Sequence, residues 1–504
     1  MRPDAGGAAQ GAFFDVIVIG AGLSGIAAAH HLQTLCPSRS FAILEGRDAI
    51  GGTWDLFRYP GIRSDSDMST LGYSFRPWTS DASFASGPAI RDYVQAAARQ
   101  EGIEQHIRFG HRVTAANWDS HAARWTVQVT ATAGEGNTQL SMTCRFLFFC
   151  SGYYDYDKGH APEWPGRDTF RGEIVHPQHW PAALDWRGKA VVVIGSGATA
   201  ITLVPELARD AAHVTMVQRS PTYIIALPAL DSVGARLRML LPAGTAYRLV
   251  RWKNIAAAML FYGYSRWRPE RVKALIARGA RHFLGASFDV ERHLSPAYKP
   301  WDQRLCVAPD ADFFRAIRSG KASIVTAAMQ AFTPRGIRTS QGQEIEADVI
   351  VTATGLQLKV LGGARLTLDG MAVDPSKSVM YRGTMYSGVP NLAVASGYTN
   401  ASWTLKCELS ARYVCRLLNR MQSKGQDVCV ARYEGASQDT QPAIGLTSGY
   451  IQRSVALLPR QGLKSPWRMY QNYLLDLATL RFSRLSDGAL TFSTAPKSNA
   501  PVSH

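Results

Sequence analysis

The apolar positions of this chain fall in short unbroken runs that stop on or just before glycine. Asp15-Val16-Ile17-Val18-Ile19 leads into Gly20, and Lys189-Ala190-Val191-Val192-Val193-Ile194 leads into Gly195. Two further runs, Phe146-Leu147-Phe148-Phe149-Cys150 and Val349-Ile350-Val351, end shortly before Gly152 and Gly355. Apolar runs without polar alternation, bounded by turn signals, read as strands covered on both faces, which is the habit of a parallel sheet. After Gly20 the residues Ile26 to Gln33 have helical composition and Phe41 to Leu44 make the next strand. After Gly195 a helical stretch leads to a strand from Val214 to Gln218. Strand, glycine turn, helix and strand thus occur twice, and the chain is expected to be α/β with two Rossmann-like dinucleotide-binding domains.

The glycine turns carry the first chemistry. Gly20, Gly22 and Gly25 satisfy G-x-G-x-x-G, and Glu45 closes the following strand. Gly20 permits the tight turn, Gly22 lets backbone approach a pyrophosphate, Gly25 lets helix pack on strand, and Glu45 accepts a hydrogen bond from a ribose hydroxyl. The second copy reads Gly195, Gly197, Thr199 and Ala200, with alanine in place of the third glycine, and Arg219 with Ser220 stand where the first copy has its acid. A carboxylate repels a 2'-phosphate, whereas a guanidinium grips it in bidentate fashion. The first unit is therefore expected to hold FAD and the second NADPH.

A length of 504 residues exceeds one ordinary domain. The expected layout is discontinuous: residues 1–150 and 378–504 for the FAD domain, 151–222 and 300–377 for the NADP domain, and a helical insertion at 223–299. The seven cysteines are scattered without a C-x-x-C pair, which argues against a disulfide framework and against a thiolate metal site. No apolar h-region precedes the first strand, so the segment before it does not read as a signal peptide, and the cytoplasm is the expected compartment. The last dozen residues read as a disordered tail.

The net charge of +16 raises the question of an anionic partner. Basic residues concentrate between Arg236 and Arg281, opposed there only by Glu270. The longest uncharged stretch in that segment, Asn254 to Ser265, falls well short of the roughly 18 apolar residues that a membrane span needs. The segment reads first as a helical insertion with a solvated basic face, and second as a peripheral contact with an anionic membrane surface. No nucleic-acid recognition module is present to use the charge. His176 and His179 have the spacing H-x-x-H, but Pro177 disfavours a helix between them and no further ligand is spaced to complete a metal site.

Between the two glycine motifs, Phe170 to Pro181 fills every fixed position of F-x-G-x-x-x-H-x-x-x-W-P, through Phe170, Gly172, His176, Trp180 and Pro181. Gly51 to Asp65 fills a second pattern, [A/G]-G-x-W-x-x-x-x-[F/Y]-P-[G/M]-x-x-x-D. In both patterns the chain resembles the Baeyer-Villiger flavin monooxygenases, and "QRSPTY", "PWDQRLC" and "GYTNASWTLK" sharpen that resemblance toward the ethionamide-activating subgroup of mycobacteria. The resemblance implies oxidation of ketones to esters by FAD, NADPH and O2 through a C4a-peroxyflavin, with oxygenation of sulfide or thioamide sulfur as a second activity, and the apolar residues of the insertion favour large apolar or aromatic ketones. It implies that Gly52, Thr53 and Trp54 lie against the flavin with Asp65 near the reacting ring. Arg304 is implied to stabilise the anions formed there, with Asp65 holding it in place. Phe170, Gly172, His176 and Trp180 are implied to couple the two domains, His179 to pack, and Trp467 to fold over bound nicotinamide. The loop from Ser396 to Trp403 is implied to run along the flavin into a helix. Gln303 departs from the lysine common at its position, which leaves preference for NADPH to Arg219 and Ser220. The alternative is a flavin-containing monooxygenase restricted to sulfur or nitrogen oxygenation.

Overall fold

The structure is a computed structural model that describes residues 11–133 and 136–496. The ten N-terminal residues and most of the expected tail lie outside the described residues. A nine-stranded sheet collects β1 (Phe13–Ile19), β2 (Phe41–Leu44), β3 (Ile107–Arg108), β4 (His111–Asp119), β5 (Arg124–Ala133), β6 (Gly136–Phe149), β19 (Arg365–Leu368) and β20 (Met371–Val373), in the order β20-β19-β4-β5-β6-β1-β2-β3, with Leu392–Val394 also paired to β6. The central strand β1 runs parallel to both neighbours, Ile17 opposite Ala42 on one side and Leu147 on the other. Its unbroken run has a direct cause, since Val16 and Val18 enter one core while Ile17 enters another with Trp118 and Trp125. Against the first of those cores lie α1 (Leu23–Leu35), α4 (Gly87–Gln100) and the long α11 (Trp403–Ser423).

From β6 the chain crosses through β7 (Tyr154–Gly159) to a second, all-parallel sheet of β8 (Glu173–Val175), β9 (Ala190–Ile194), β10 (His213–Gln218), β13 (Ala322–Thr326) and β17 (Val349–Thr352), ordered β13-β10-β9-β17-β8. This sheet is covered on one face by α5 (Ala198–Leu207) and α10 (Asp312–Arg318). A meander, β14 (Met329–Thr333), β15 (Gly336–Thr339) and β16 (Glu344–Glu346), contributes to the other face. The chain returns through β18 (Leu356–Leu358), which pairs antiparallel with β7. Both crossings thus lie side by side. The return comes earlier than the boundary expected at 377, because β19 already runs parallel to β4, with Leu366 buried among Trp118 and Trp125.

The insertion is bracketed by β11 (Ile224–Leu227) and β12 (Cys306–Pro309), which pair in parallel. It holds α6 (Ser232–Leu240), α7 (Ala243–Trp267), α8 (Pro269–Leu284) and α9 (Val290–Leu294). No helix among the described residues is long and apolar enough to cross a membrane. The insertion is tied to the FAD domain by a buried ion pair, Arg251 to Glu408 of α11 at 2.9 Å. The same guanidinium donates to the carbonyls of Ser69 at 2.8 Å and Gly72 at 2.6 Å. Although burial raises the carboxyl pKa of Glu408, nearby His31 and the charge of Arg251 bring it down to about 2. All seven cysteines are unpaired and buried.

Candidate active site

A cavity of about 340 Å³ opens where the first glycine turn, the crossing strand and the segment before β12 converge. It brings together Gly20, Gly22, Glu45, Gly52, Thr53, Trp54, Asp65 and Arg304, drawn from distant parts of the sequence. Gly20 has φ +102°, and a Cβ on it would stand 2.8 Å from the carbonyl oxygen of Cys150. Gly25 lies behind the wall, where a Cβ would strike the carbonyl oxygen of Gly20. It is the packing glycine of the motif. Glu45 accepts from the backbone N–H groups of Ala21 at 2.7 Å and Arg47 at 2.9 Å, which fixes the carboxylate at the end of β2. Burial raises its pKa against those two bonds.

Across the turn, Gly52 caps the short helix α2 (Thr53–Leu56) at φ +55° and approaches Gly22, while Thr53 Oγ1 lies 3.2 Å from the hydroxyl of Tyr156. The N-termini of α1 and α11 carry no side-chain cap, and both open toward the cavity, which is lined by Gly22 at one and Ala401 and Trp403 at the other. Free amides at two helix N-termini, a close-approach glycine pair and a fixed carboxylate suit the pyrophosphate, ring carbonyl and ribose of a flavin dinucleotide. The residues present therefore fit FAD.

Arg304 and Asp65 meet here in an arrangement that differs from the expectation. Arg304 is exposed and lines the cavity, and its Nη2 donates to the carbonyl of Tyr398 at 3.2 Å. Tyr398 is fixed in turn, its hydroxyl donating to Asp476 at 2.7 Å, and Asp476 pairs with buried Lys406 at 2.8 Å. Asp65 makes no ion pair with Arg304. Its carboxylate accepts from the backbone of Val307 at 3.4 Å, three residues beyond Arg304, and the charge of Arg63 acts on it more than that of Arg304. Burial raises the Asp65 pKa to about 6, opposed by the Val307 N–H and by the charges of Arg63 and Arg304. So Asp65 is linked to the Arg304 segment through the Val307 amide, while the guanidinium itself is held by the loop carbonyl of Tyr398. The sequence offered no signal for that anchor beyond the motif-like loop in which Tyr398 lies.

The second set of residues gathers outside this cavity, at the C-terminal end of the second sheet. Gly195 is in close contact with Ala353, since a Cβ on it would lie 2.2 Å from that carbonyl oxygen, whereas Gly197 faces open space at the uncapped N-terminus of α5. Thr199 and buried Ala200 lie in the first turn of α5. Arg219 and Ser220 are exposed just beyond β10, and Ser196 Oγ donates to the carbonyl of Ser220 at 2.9 Å. A cation that sequence reasoning missed joins them. Arg453, from the C-terminal part of the chain, donates to the carbonyl of Leu356 at 3.3 Å beside Gly355. Its guanidinium pKa is lowered by burial and by the nearby charge of Arg219.

His176 sits on the crossing itself. Its ring covers Gly159 at the end of β7, so closely that a Cβ there would lie 2.0 Å from Cε1. Its Nδ1 accepts from the backbone of Gln178 at 3.2 Å, and Gln178 donates to the carbonyl of Asp155 in β7 at 2.9 Å. Burial lowers the His176 pKa. Gly172 touches Asp348, ahead of β17, Phe170 packs near Phe332 and Trp180 near Trp186. The motif therefore touches the outgoing crossing at β7 and the start of β17 in the second sheet. His179 is exposed and does not pack as expected. Trp467 is also placed differently: its ring meets Tyr433 at 5.0 Å and Tyr381 at 5.4 Å and lines a separate depression with Gly462 and Lys464, away from the cavity. Aromatic packing onto the FAD-domain core holds it there.

A family model described as flavin-binding monooxygenase-like matches residues 14–251. The FAD-containing monooxygenase EthA of Mycobacterium tuberculosis (strain ATCC 25618 / H37Rv) is 49% identical over 489 residues, covering 97% of this chain and 99% of that protein. The chain belongs to the flavin-binding monooxygenase-like family. As a flavin-dependent monooxygenase it is an oxidoreductase with FAD and NADP as cofactors. The probable FAD-binding monooxygenase AlmA of Acinetobacter baylyi is 46% identical over 480 residues, covering 95% of this monooxygenase and 96% of AlmA. A solved oxidized steroid monooxygenase bound to NADP superposes with a TM-score of 0.76 at 22% identity, covering 96% of this monooxygenase and all of that chain, so the two share their fold.

Proposed function

We propose that this monooxygenase performs Baeyer-Villiger oxidation of apolar or aromatic ketones to esters, with oxygenation of sulfide or thioamide sulfur as a second activity. The balance is ketone, O2, NADPH and a proton giving ester, NADP and water: one oxygen atom enters the carbon–carbon bond beside the carbonyl and the other leaves as water. Bound FAD supplies the chemistry of accepting hydride from NADPH and activating oxygen. The residues of the chain do the rest. The observation that carries the reading is Arg304, a guanidinium forming the wall of the FAD-shaped cavity and anchored through Tyr398. A fixed cation there stabilises negative charge as it moves onto the former carbonyl oxygen, an effect worth roughly 10²–10³ in rate for a single donor. Tyr153, Tyr154 and Trp403 line the same cavity and offer apolar ring surface to the substrate. Exposed Arg219 and Ser220, with Arg453 beside them, supply the charge and hydroxyl that a 2'-phosphate of NADPH calls for, and Trp467 is assigned no part in closing over the nicotinamide.

The test is incubation of the purified holoenzyme with NADPH, O2 and a panel of ketones, sulfides and thioamides, with products analysed by mass. Esters carrying one added oxygen atom are expected, and Arg304→Ala should retain its flavin absorbance while losing at least about a hundredfold in ester formation. Undiminished ester formation in that variant would overturn the role of Arg304. Sulfoxide without any ester from the native enzyme would favour the reading restricted to sulfur or nitrogen.

A further inference from the structure

The basic insertion carries a face that the activity does not use. Along α7, Leu249, Trp252, Leu260, Tyr264 and Trp267 recur at spacings of three, eight, four and three residues, which places them on one side of the helix with Ala256 and Gly263 between them. They are 46%, 45%, 73%, 39% and 69% exposed. The opposite side is fully engaged: Ile255 packs with Tyr398 and Leu405, and Phe261 meets the ring of Trp301. The bare side is therefore not a helix waiting for its own core. It continues past α7, because Trp252 meets Tyr473 at 5.7 Å and the next residues, Leu474 and Leu475, are again about half exposed.

Its rim is cationic. Arg248, Arg268, Arg271 and Arg278 are exposed, and no carboxylate among the described residues pairs with them. Arg268 stacks on Trp267 at 4.4 Å. Between Arg236 and Arg281 the one acid, Glu270, is already engaged by Lys273 at 3.2 Å. Monomeric soluble proteins rarely leave so continuous an apolar face bare. A second copy seated on the same face across a two-fold axis would bring two arginine rims together, which like-charge repulsion opposes. An anionic lipid surface meets both features at once: it accepts tryptophan, tyrosine and leucine at the boundary of headgroups and acyl chains, and it attracts the arginines around them.

We infer that the outer face of α7 docks this monooxygenase peripherally on an anionic bilayer, with α7 lying in the plane of the interface. The inference is independent of the reaction proposed above and would survive the failure of that reading.

The experiment is sedimentation of the holoenzyme with vesicles of phosphatidylglycerol mixed with phosphatidylcholine, against vesicles of phosphatidylcholine alone. Cosedimentation with the anionic vesicles, a blue shift of tryptophan emission on binding, and weakening by salt are expected. The double variant Leu260→Glu/Trp267→Glu, altered only at exposed positions, should lose vesicle binding by at least about tenfold while keeping its flavin. Arg271→Glu/Arg278→Glu should weaken binding through charge alone and serves if the first variant does not fold. Native protein that stays in the supernatant, or variants that bind as the native protein does, would overturn the inference. So would a native dimer in sedimentation velocity that the first variant dissociates without any vesicle binding, since the face would then belong to a second copy.

Discussion

At Asp65 a single carboxyl links activity and stability in opposite senses. Its pKa of about 6 in the fold lies above the ordinary 3.8, so between those values the folded state holds the proton more tightly than the unfolded chain. Stability due to this group is full below pH 3.8 and is lost as pH rises toward 6. Ionisation above pH 6 is what strengthens the bond from Val307 and the field on Arg304. Turnover should thus rise with pH through about 6, and Asp65→Asn should abolish that inflection in the pH–rate profile while raising thermal stability at pH 7 by about 1–2 kcal/mol. Arg453 invites a second measurement. Arg453→Ala should weaken NADP by about tenfold, read from the perturbation of the flavin spectrum on titration, and leave NAD unchanged. The glycines and Glu45 were legible in the sequence because a turn, a close approach and a strand end each demand a particular residue type. Arg453 was not, since it reaches Gly355 from a loop nearly a hundred residues away that has no pattern of its own. Tyr398 was legible as part of a flavin-side loop, but its grip on Arg304 is a backbone carbonyl, which any residue could supply.

Among the elements, the two βαβ units and the insertion follow from apolar runs and glycine turns, whose physics is local. The boundary near 377 did not, because β19 is a short strand whose membership of the first sheet rests on pairing with β4, far away in sequence. The attachment of the insertion was equally hidden. Arg251 belongs to the basic segment that reads as a solvated face, yet it is buried against Glu408 of α11. A paired buried charge left without its partner is costly, so Glu408→Gln should lower stability by about 3–5 kcal/mol in denaturant unfolding. The pH dependence provides a check. Glu408 titrates near 2 in the fold against an ordinary 4.5, so its contribution is present above pH 4.5 and is lost as pH falls toward 2. The variant should lose less stability than the native protein over that interval.

For the whole molecule, composition announced an excess of positive charge but not its arrangement. Only the fold shows which arginines of the insertion are spent on internal partners, as Arg251 and Arg266 are, and which stand free around the exposed side of α7. The same fold decides the fate of the cysteines. A protein that handles oxygen on a reduced flavin works beside its own source of oxidants, and thiols are oxidised through their thiolate form. Here burial pushes the thiols of Cys144, Cys150, Cys306, Cys407 and Cys429 upward, away from that form. None of the seven reaches the surface. Thiol sulfur that could scavenge stray oxidant is sealed in the interior, so peroxide from a misfired turnover meets no exposed cysteine of the catalyst that released it.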